Sequence, residues 1–180
     1  PGKTDYHITS AGPMLFHGDK VFHTQLGRVM PCEGRRPVSD GRQLFGGGAE
    51  SVVAFDLATR RTVKGKDRKG KDVEKEVVPQ LWKLSVSTEQ QKPGLVEVYC
   101  KAGGRIYGAL DQSVFAIQLG EGKTAPKVAW RQSVEGQPAS MVAADDRLFV
   151  VTRSGRIYSF ADTKDAPQAF PLQPSPAKAA

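Results

Sequence analysis

A chain of 180 residues with 39% apolar and 25% charged residues is long enough to bury one core, and it contains no run of about eighteen apolar residues of the kind a membrane span requires. Two cysteines, Cys32 and Cys100, exclude a disulfide framework, and neither stands in a CxxC or Cys/His cluster. The formal net charge of +7 favours weak, salt-sensitive contact with polyanions and by itself assigns no function. The two cysteines read as free thiols, with a single disulfide between them as the alternative. His7, His17 and His23 lack the carboxylate-rich surroundings of a metal site. The chain starts on Pro1, so compartment and targeting stay open, and it is expected to be a piece of a longer protein.

In chain order, residues 1–12 read as a lead-in from a preceding unit or linker. Short runs rich in Val, Ile, Tyr and Phe, bounded by Gly, Asp and Pro, then predict strands throughout, and helical periodicity is absent. A first unit, 13–86, holds strands at 14–17, 20–25, 51–56 and 80–86, with insertions at 26–48 and 63–79. A second, 95–134, holds strands at 96–100, 105–109, 114–118 and 127–134. A third, 138–172, holds strands at 140–143, 147–152, 156–160 and 168–172. Residues 173–180 form a Pro-rich linker or tail. Lys101-Ala102-Gly103-Gly104, Ala144-Asp145-Asp146 and Arg153-Ser154-Gly155 supply hairpin turn chemistry.

Three themes recur across these units. Lys20-Val21-Phe22, Arg105-Ile106-Tyr107 and Arg147-Leu148-Phe149 share a polar, aliphatic, aromatic order. Ser51-Val52-Val53-Ala54-Phe55, Ser113-Val114-Phe115-Ala116-Ile117 and Arg156-Ile157-Tyr158-Ser159-Phe160 form the second theme. Leu81-Trp82-Lys83-Leu84-Ser85-Val86 and Ala129-Trp130-Arg131-Gln132-Ser133-Val134 form the third. A period of forty-odd residues built of four short strands is the signature of a propeller blade, and a β-sandwich does not predict it. The expected fold is all-β: a partial β-propeller of three consecutive four-stranded antiparallel blades.

Ala54-Phe55-Asp56-Leu57-Ala58-Thr59, with Trp82 beyond it, resembles the AxDxxTGxxxxW docking motif of PQQ-like (quinoprotein alcohol dehydrogenase-like) β-propeller repeats. Ala116, Gly122 and Lys123 match it in the second unit, where Gln118 and Glu121 replace the Asp and Thr and Trp130 comes four residues late. The third unit keeps the small Ser159 and offers Phe170 in place of the Trp. The resemblance implies that these residues hold blades together, that the remaining blades of the same propeller and an unknown protein are the partners, and that the location is bacterial, periplasmic or cell-envelope. The family's enzymes carry a quinone (PQQ) and a calcium ion on the propeller axis. Under that alternative Asp40, Glu50 and Asp111 are the carboxylates on offer as ligands or base.

No constellation of nucleophile, base and orienting group stands in the sequence, so catalytic, cofactor and metal residues are expected to be none. The chain is expected to be a non-catalytic interaction or ligand-binding scaffold. A second alternative is polyanion or nucleic-acid contact through Lys64, Lys66, Arg68, Lys69 and Lys71. Interleaved acids and missing stacking aromatics make nucleic acid an unfavoured partner there, and residues 64–76 read instead as a solvated hairpin or disordered loop.

Overall fold

A computed structural model describes residues 8–17, 20–24, 28–31, 35–88, 94–122, 124–163, 166 and 168–171. These contain only strands and turns, and all strand pairs are antiparallel. The first sheet is β1 (Ile8–Ala11), β2 (Met14–His17), β3 (Lys20–His23) and β4 (Arg28–Pro31), in that order. The second begins with β5 (Arg35–Ser39), β6 (Gln43–Gly47) and β7 (Ser51–Asp56). The chain then leaves it to form a separate hairpin, β8 (Arg61–Lys66) and β9 (Asp72–Val77), and returns as β10 (Gln80–Ser85) beside β7. The third sheet is β11 (Val96–Ala102), β12 (Arg105–Leu110), β13 (Ser113–Gln118) and β14 (Lys127–Ser133). The fourth has three strands, β15 (Pro138–Ala144), β16 (Arg147–Thr152) and β17 (Ile157–Ala161).

The architecture is a partial β-propeller, with two differences from the sequence expectation. Residues 13–86 are not one blade with insertions but the greater part of two sheets, because 26–48 contributes β4, β5 and β6 and the lead-in contributes β1. One glycine of this stretch has a positional role: a Cβ on Gly47 would stand 2.0 Å from the Val96 carbonyl oxygen. Only a residue without a side chain lets the second sheet approach β11 so closely. The other difference is that residues 168–171 lie outside any strand, so the fourth sheet ends at β17 among the described residues.

Strand register exposes the true repeat. Between second and third strands, Leu15 pairs with Phe22 and Phe16 with Val21; Leu44 with Phe55 and Phe45 with Ala54; Ile106 with Ile117 and Tyr107 with Ala116; Leu148 with Phe160 and Phe149 with Ser159. Lys20-Val21-Phe22 therefore belongs to a third strand, and the counterparts of Ile106-Tyr107 are Leu15-Phe16 and Leu44-Phe45. Adjacent residues of a strand point to opposite faces, so every sheet has a leading face (Leu15–Phe22 and its equivalents) and a trailing face (Phe16–Val21 and its equivalents).

Each junction joins a trailing face to the next leading face. Met14, Phe16 and Val21 pack on Leu44, Val53 and Phe55. Phe45, Val52, Ala54 and Trp82 pack on Ile106, Phe115 and Ile117. Tyr107, Ala109, Val114 and Trp130 pack on Leu148, Val150 and Phe160. Backbone bonds reinforce the second junction: Val96 N–H donates to the Gly48 carbonyl at 2.9 Å and Glu50 N–H to the Gly94 carbonyl at 3.1 Å.

Candidate functional site

The small residue and the tryptophan of the docking motif meet directly. Ala54 is paired with Trp82 across β7 and β10, and Ala116 with Trp130 across β13 and β14. Both alanines are fully buried, and each stands directly opposite its indole in the ladder. A register shift sits beside each tryptophan, which is the local twist of a β-bulge. Trp82 packs on Phe45 with ring centroids 6.1 Å apart, and Trp130 on Phe160 of the next sheet at 5.5 Å.

Asp56 and Thr59 meet in one turn. Asp56 Oδ1 accepts from Ala58 N–H at 2.9 Å and Oδ2 from the Thr59 hydroxyl at 2.6 Å. The Thr59 hydroxyl and Ala58 amide hold this carboxyl below the ordinary carboxylate value. Gly122 adopts the left-handed conformation, with φ of 60°, in the exposed connection between β13 and β14.

Ser159 takes the small-residue position on β17, opposite Phe149, and among the described residues β17 pairs with β16 alone. Phe170 does not substitute for the missing tryptophan: it is 86% exposed. Phe160 and Tyr158 supply the aromatic packing of the fourth sheet instead. Tyr158 Oη accepts from Glu135 N–H at 2.8 Å, fastening β17 to the segment that joins the third and fourth sheets. The second sequence theme already sets Phe160 in register with Phe55 and Ile117, and that register is the signal for its place in the packing.

The inserted hairpin is ordered. Asp67 Oδ1 accepts from the amides of Lys69 and Lys71 at 2.8 and 2.9 Å, and Gly70 takes φ of 80° to close the tip. Lys64, Lys66, Arg68, Lys69 and Lys71 are all exposed. Lys64 stands opposite Glu74, however, and Lys66 opposite Asp72. Cross-strand acids offset the cations along the stem, which leaves Arg68, Lys69 and Lys71 at the tip as the basic part.

The three carboxylates of the quinone alternative do not converge. Asp40 lies between β5 and β6, whereas Glu50 follows β6 and Asp111 follows β12, at the opposite ends of their sheets. Strands of five or six residues put roughly 17–20 Å between such ends. Glu50 and Asp111 occupy left-handed turn positions, each with φ of 53°. No group of three or more His, Cys, Asp or Glu with metal-ligand geometry occurs among the described residues. Asp40, Glu50 and Asp111 are therefore not gathered into one calcium site. Cys100 is a half-buried free thiol whose pKa burial raises; Cys32 lies outside the described residues.

Asp40 has a structural task instead. Its Oδ1 accepts from Arg42 and Gln43 amides at 3.0 and 2.8 Å, and its Oδ2 lies 3.4 Å from Lys101 Nζ, tying the second sheet to β11. Burial pushes its pKa up, but the Gln43 and Arg42 amides and Lys101 together bring it below the ordinary 3.8. A carboxyl with a depressed folded-state pKa adds stability above its unfolded value, and the stability is lost as pH falls through the folded value. The chain is therefore expected to lose stability between pH 3.8 and lower values, and Asp40→Asn to flatten that part of a chemical-denaturation profile. An unchanged slope in the variant counts against the tie.

The fourth sheet borders an open cleft. Between it and the third sheet runs a cleft of about 920 Å³, lined among others by Arg105, Trp130, Asp145, Arg147, Phe160 and Asp162. Asp145 and Asp146 both have positive φ, 49° and 57°, as the two-residue turn closing Ala144 against Arg147 requires. On the trailing face Val142 is 56%, Val151 37% and Ile157 70% exposed. Leu15, on the leading face of the first sheet, is 37% exposed.

Four stacked antiparallel sheets with a shared trailing-to-leading junction define a protein of the β-propeller class. No family model matches the chain, and no curated protein does. Among solved structures it is similar to the crystal structure of BamB from Moraxella catarrhalis, with a TM-score of 0.55 and 17% identity, over 86% of this chain and 42% of that one. That likeness is one of fold, and the chain spans less than half of the neighbour's length.

Proposed function

We propose that this chain is a non-catalytic scaffold segment of a β-propeller, whose end faces dock the remaining blades and whose exposed surfaces engage a protein partner. The carrying observation is the trailing face of the fourth sheet. Val142, Val151 and Ile157 are exposed there, although residues on the same face of the first three sheets are buried against the next sheet. A contiguous apolar sheet face of this kind marks an interaction surface. The docking residues support the same reading, since Ala54, Trp82, Ala116 and Trp130 are occupied in packing.

A hydrophobic dye such as ANS tests the face. The chain is expected to bind it, and Val142→Lys with Ile157→Lys is expected to remove at least half of the bound fluorescence without lowering the melting temperature, because both side chains are largely exposed. A chain that binds no dye, or a double variant that binds as much as the parent, defeats the proposal.

A further inference from the structure

The hairpin β8–β9 is an addition to the blade plan. We infer that its tip and its valine-bearing face form a docking surface for an acidic, extended polypeptide segment that carries aliphatic side chains among its carboxylates. This deepens the scaffold reading and rests on it.

The second sheet packs against a neighbour on each side. The hairpin leaves it between β7 and β10, at the end where Asp40 turns β5 into β6. The third sheet makes the same crossing, from β13 to β14, without a hairpin, so blade packing does not require one. A lone two-stranded hairpin is at best marginally stable in water. Here it keeps an unbroken register from Arg61 opposite Val77 to Lys66 opposite Asp72, and Asp67 N–H donates to the Lys71 carbonyl at 2.9 Å to close the tip.

Register sorts the hairpin into two unlike faces, since adjacent residues of a strand point to opposite sides. On one face Lys64 stands opposite Glu74 and Lys66 opposite Asp72, and the charges offset each other. The other face pairs Arg61 with Val77, Val63 with Lys75 and Gly65 with Val73, which are cations and valines without an acid. Val63 is 39% exposed, and Val73 and Val77 are half-buried. Lys75 lies across Gly65, with its Cδ 3.7 Å from where a Cβ would stand, and its Nζ donates to the Lys66 carbonyl at 3.1 Å. That bond holds the ammonium beside the tip, where Arg68, Lys69 and Lys71 are exposed and the Asp67 carboxylate is engaged by the Lys69 and Lys71 amides.

Charge complementarity and the valines together specify the occupant. Cations from Arg61 to the tip call for carboxylates, and Val63 and its neighbours call for aliphatic side chains between them. Residues 61–77 hold no aromatic ring, so nucleic-acid bases have nothing to stack on, and a phosphate backbone offers the valines no apolar contact.

The experiment uses the whole chain and a short fluorescently labelled peptide of repeating glutamate-glutamate-valine, at about 0.15 M salt, where charges more than about 8 Å apart are screened. Saturable anisotropy binding is expected. Arg68→Glu together with Lys71→Glu is expected to weaken it at least about tenfold, and Val63→Thr, which keeps the branched shape a strand favours, at least about threefold. Both leave the melting temperature unchanged, and Lys64→Ala on the opposite face leaves the binding unchanged. Absence of saturable binding, or equal binding by a glutamate-glutamate-serine peptide, overturns the inference. So does a loss from Lys64→Ala as large as that from Val63→Thr, or tighter binding of duplex DNA or phosphatidylglycerol vesicles through Arg68 and Lys71. A chain that binds the dye through Val142 and Ile157 and refuses the peptide keeps the scaffold reading and loses this one.

Discussion

Gly47→Ala is expected to open the junction between the second and third sheets and to cost the chain a large part of its stability. The added methyl would lie 2.0 Å from the Val96 oxygen, 2.6 Å from the Val96 carbon and 3.2 Å from the Glu97 nitrogen. All three are backbone atoms, so no rotamer change relieves the overlap. Nor is the Val96 backbone free to withdraw: its N–H donates to the Gly48 carbonyl at 2.9 Å, and it is paired with Leu110 in its own sheet. Overpacking a well-filled site typically costs about 1–3 kcal/mol, and a rigid double-sided backbone contact belongs at the upper end or above it. Against a total stability of roughly 5–15 kcal/mol, the urea midpoint should fall sharply. Gly12→Ala is the control. Gly12 has φ of 55° and nothing within 4 Å of an added Cβ, so only the left-handed backbone strain of about 1–2 kcal/mol applies. Equal losses in the two variants would show that the close approach at Gly47 is not what holds the junction.

Phe115→Ala is expected to destabilise by about 3–5 kcal/mol, the range for emptying a buried aromatic site. Phe115 is fully buried within the cluster joining the second and third sheets. Its ring lies over Gly108, its cross-strand partner, whose absent Cβ would be 2.6 Å from Phe115 Cζ. Glycine and phenylalanine thus fill one space together, and the truncated residue leaves a void that flanking strands cannot close without breaking their ladders. Trp82→Ala is expected to cost less, since Trp82 stays half-exposed at the rim of the same cluster. Denaturant titrations of the two variants, with unchanged m-values, check the order.

That order separates what was legible in the sequence from what was not. Trp82 and Trp130 stand out because tryptophan is rare and their surroundings repeat. Phe115 and Gly108 do not stand out, since an aromatic and a glycine in adjacent strands become one packing unit only once Phe115 faces Gly108 in register. Phe170 shows the converse. It lies at a plausible spacing for a docking aromatic, yet spacing carries no information on whether an edge strand forms, and the structure leaves it 86% exposed. The basic insertion was legible as a solvated hairpin, but the opposition of Lys64 to Glu74 and of Lys66 to Asp72 follows from where the turn at Asp67 and Gly70 sets the register.

By itself the sequence determined the all-β class, the strands between 96 and 161, and the turns at Asp56, Gly122, Asp145 and Asp146. These are local properties: strand propensity, positive φ and side-chain size act over a few residues and leave a visible periodic trace. Tertiary structure alone decided the number of sheets, the division of 13–86 between two of them and the convergence of Tyr107, Trp130 and Phe160 in one cluster. It also decided the separation of Asp40 from Glu50 and Asp111. Each of these depends on which strands meet across a junction. A glycine-rich segment such as 43–47 reads as loop until a second backbone, here that of Val96, approaches to where no side chain fits.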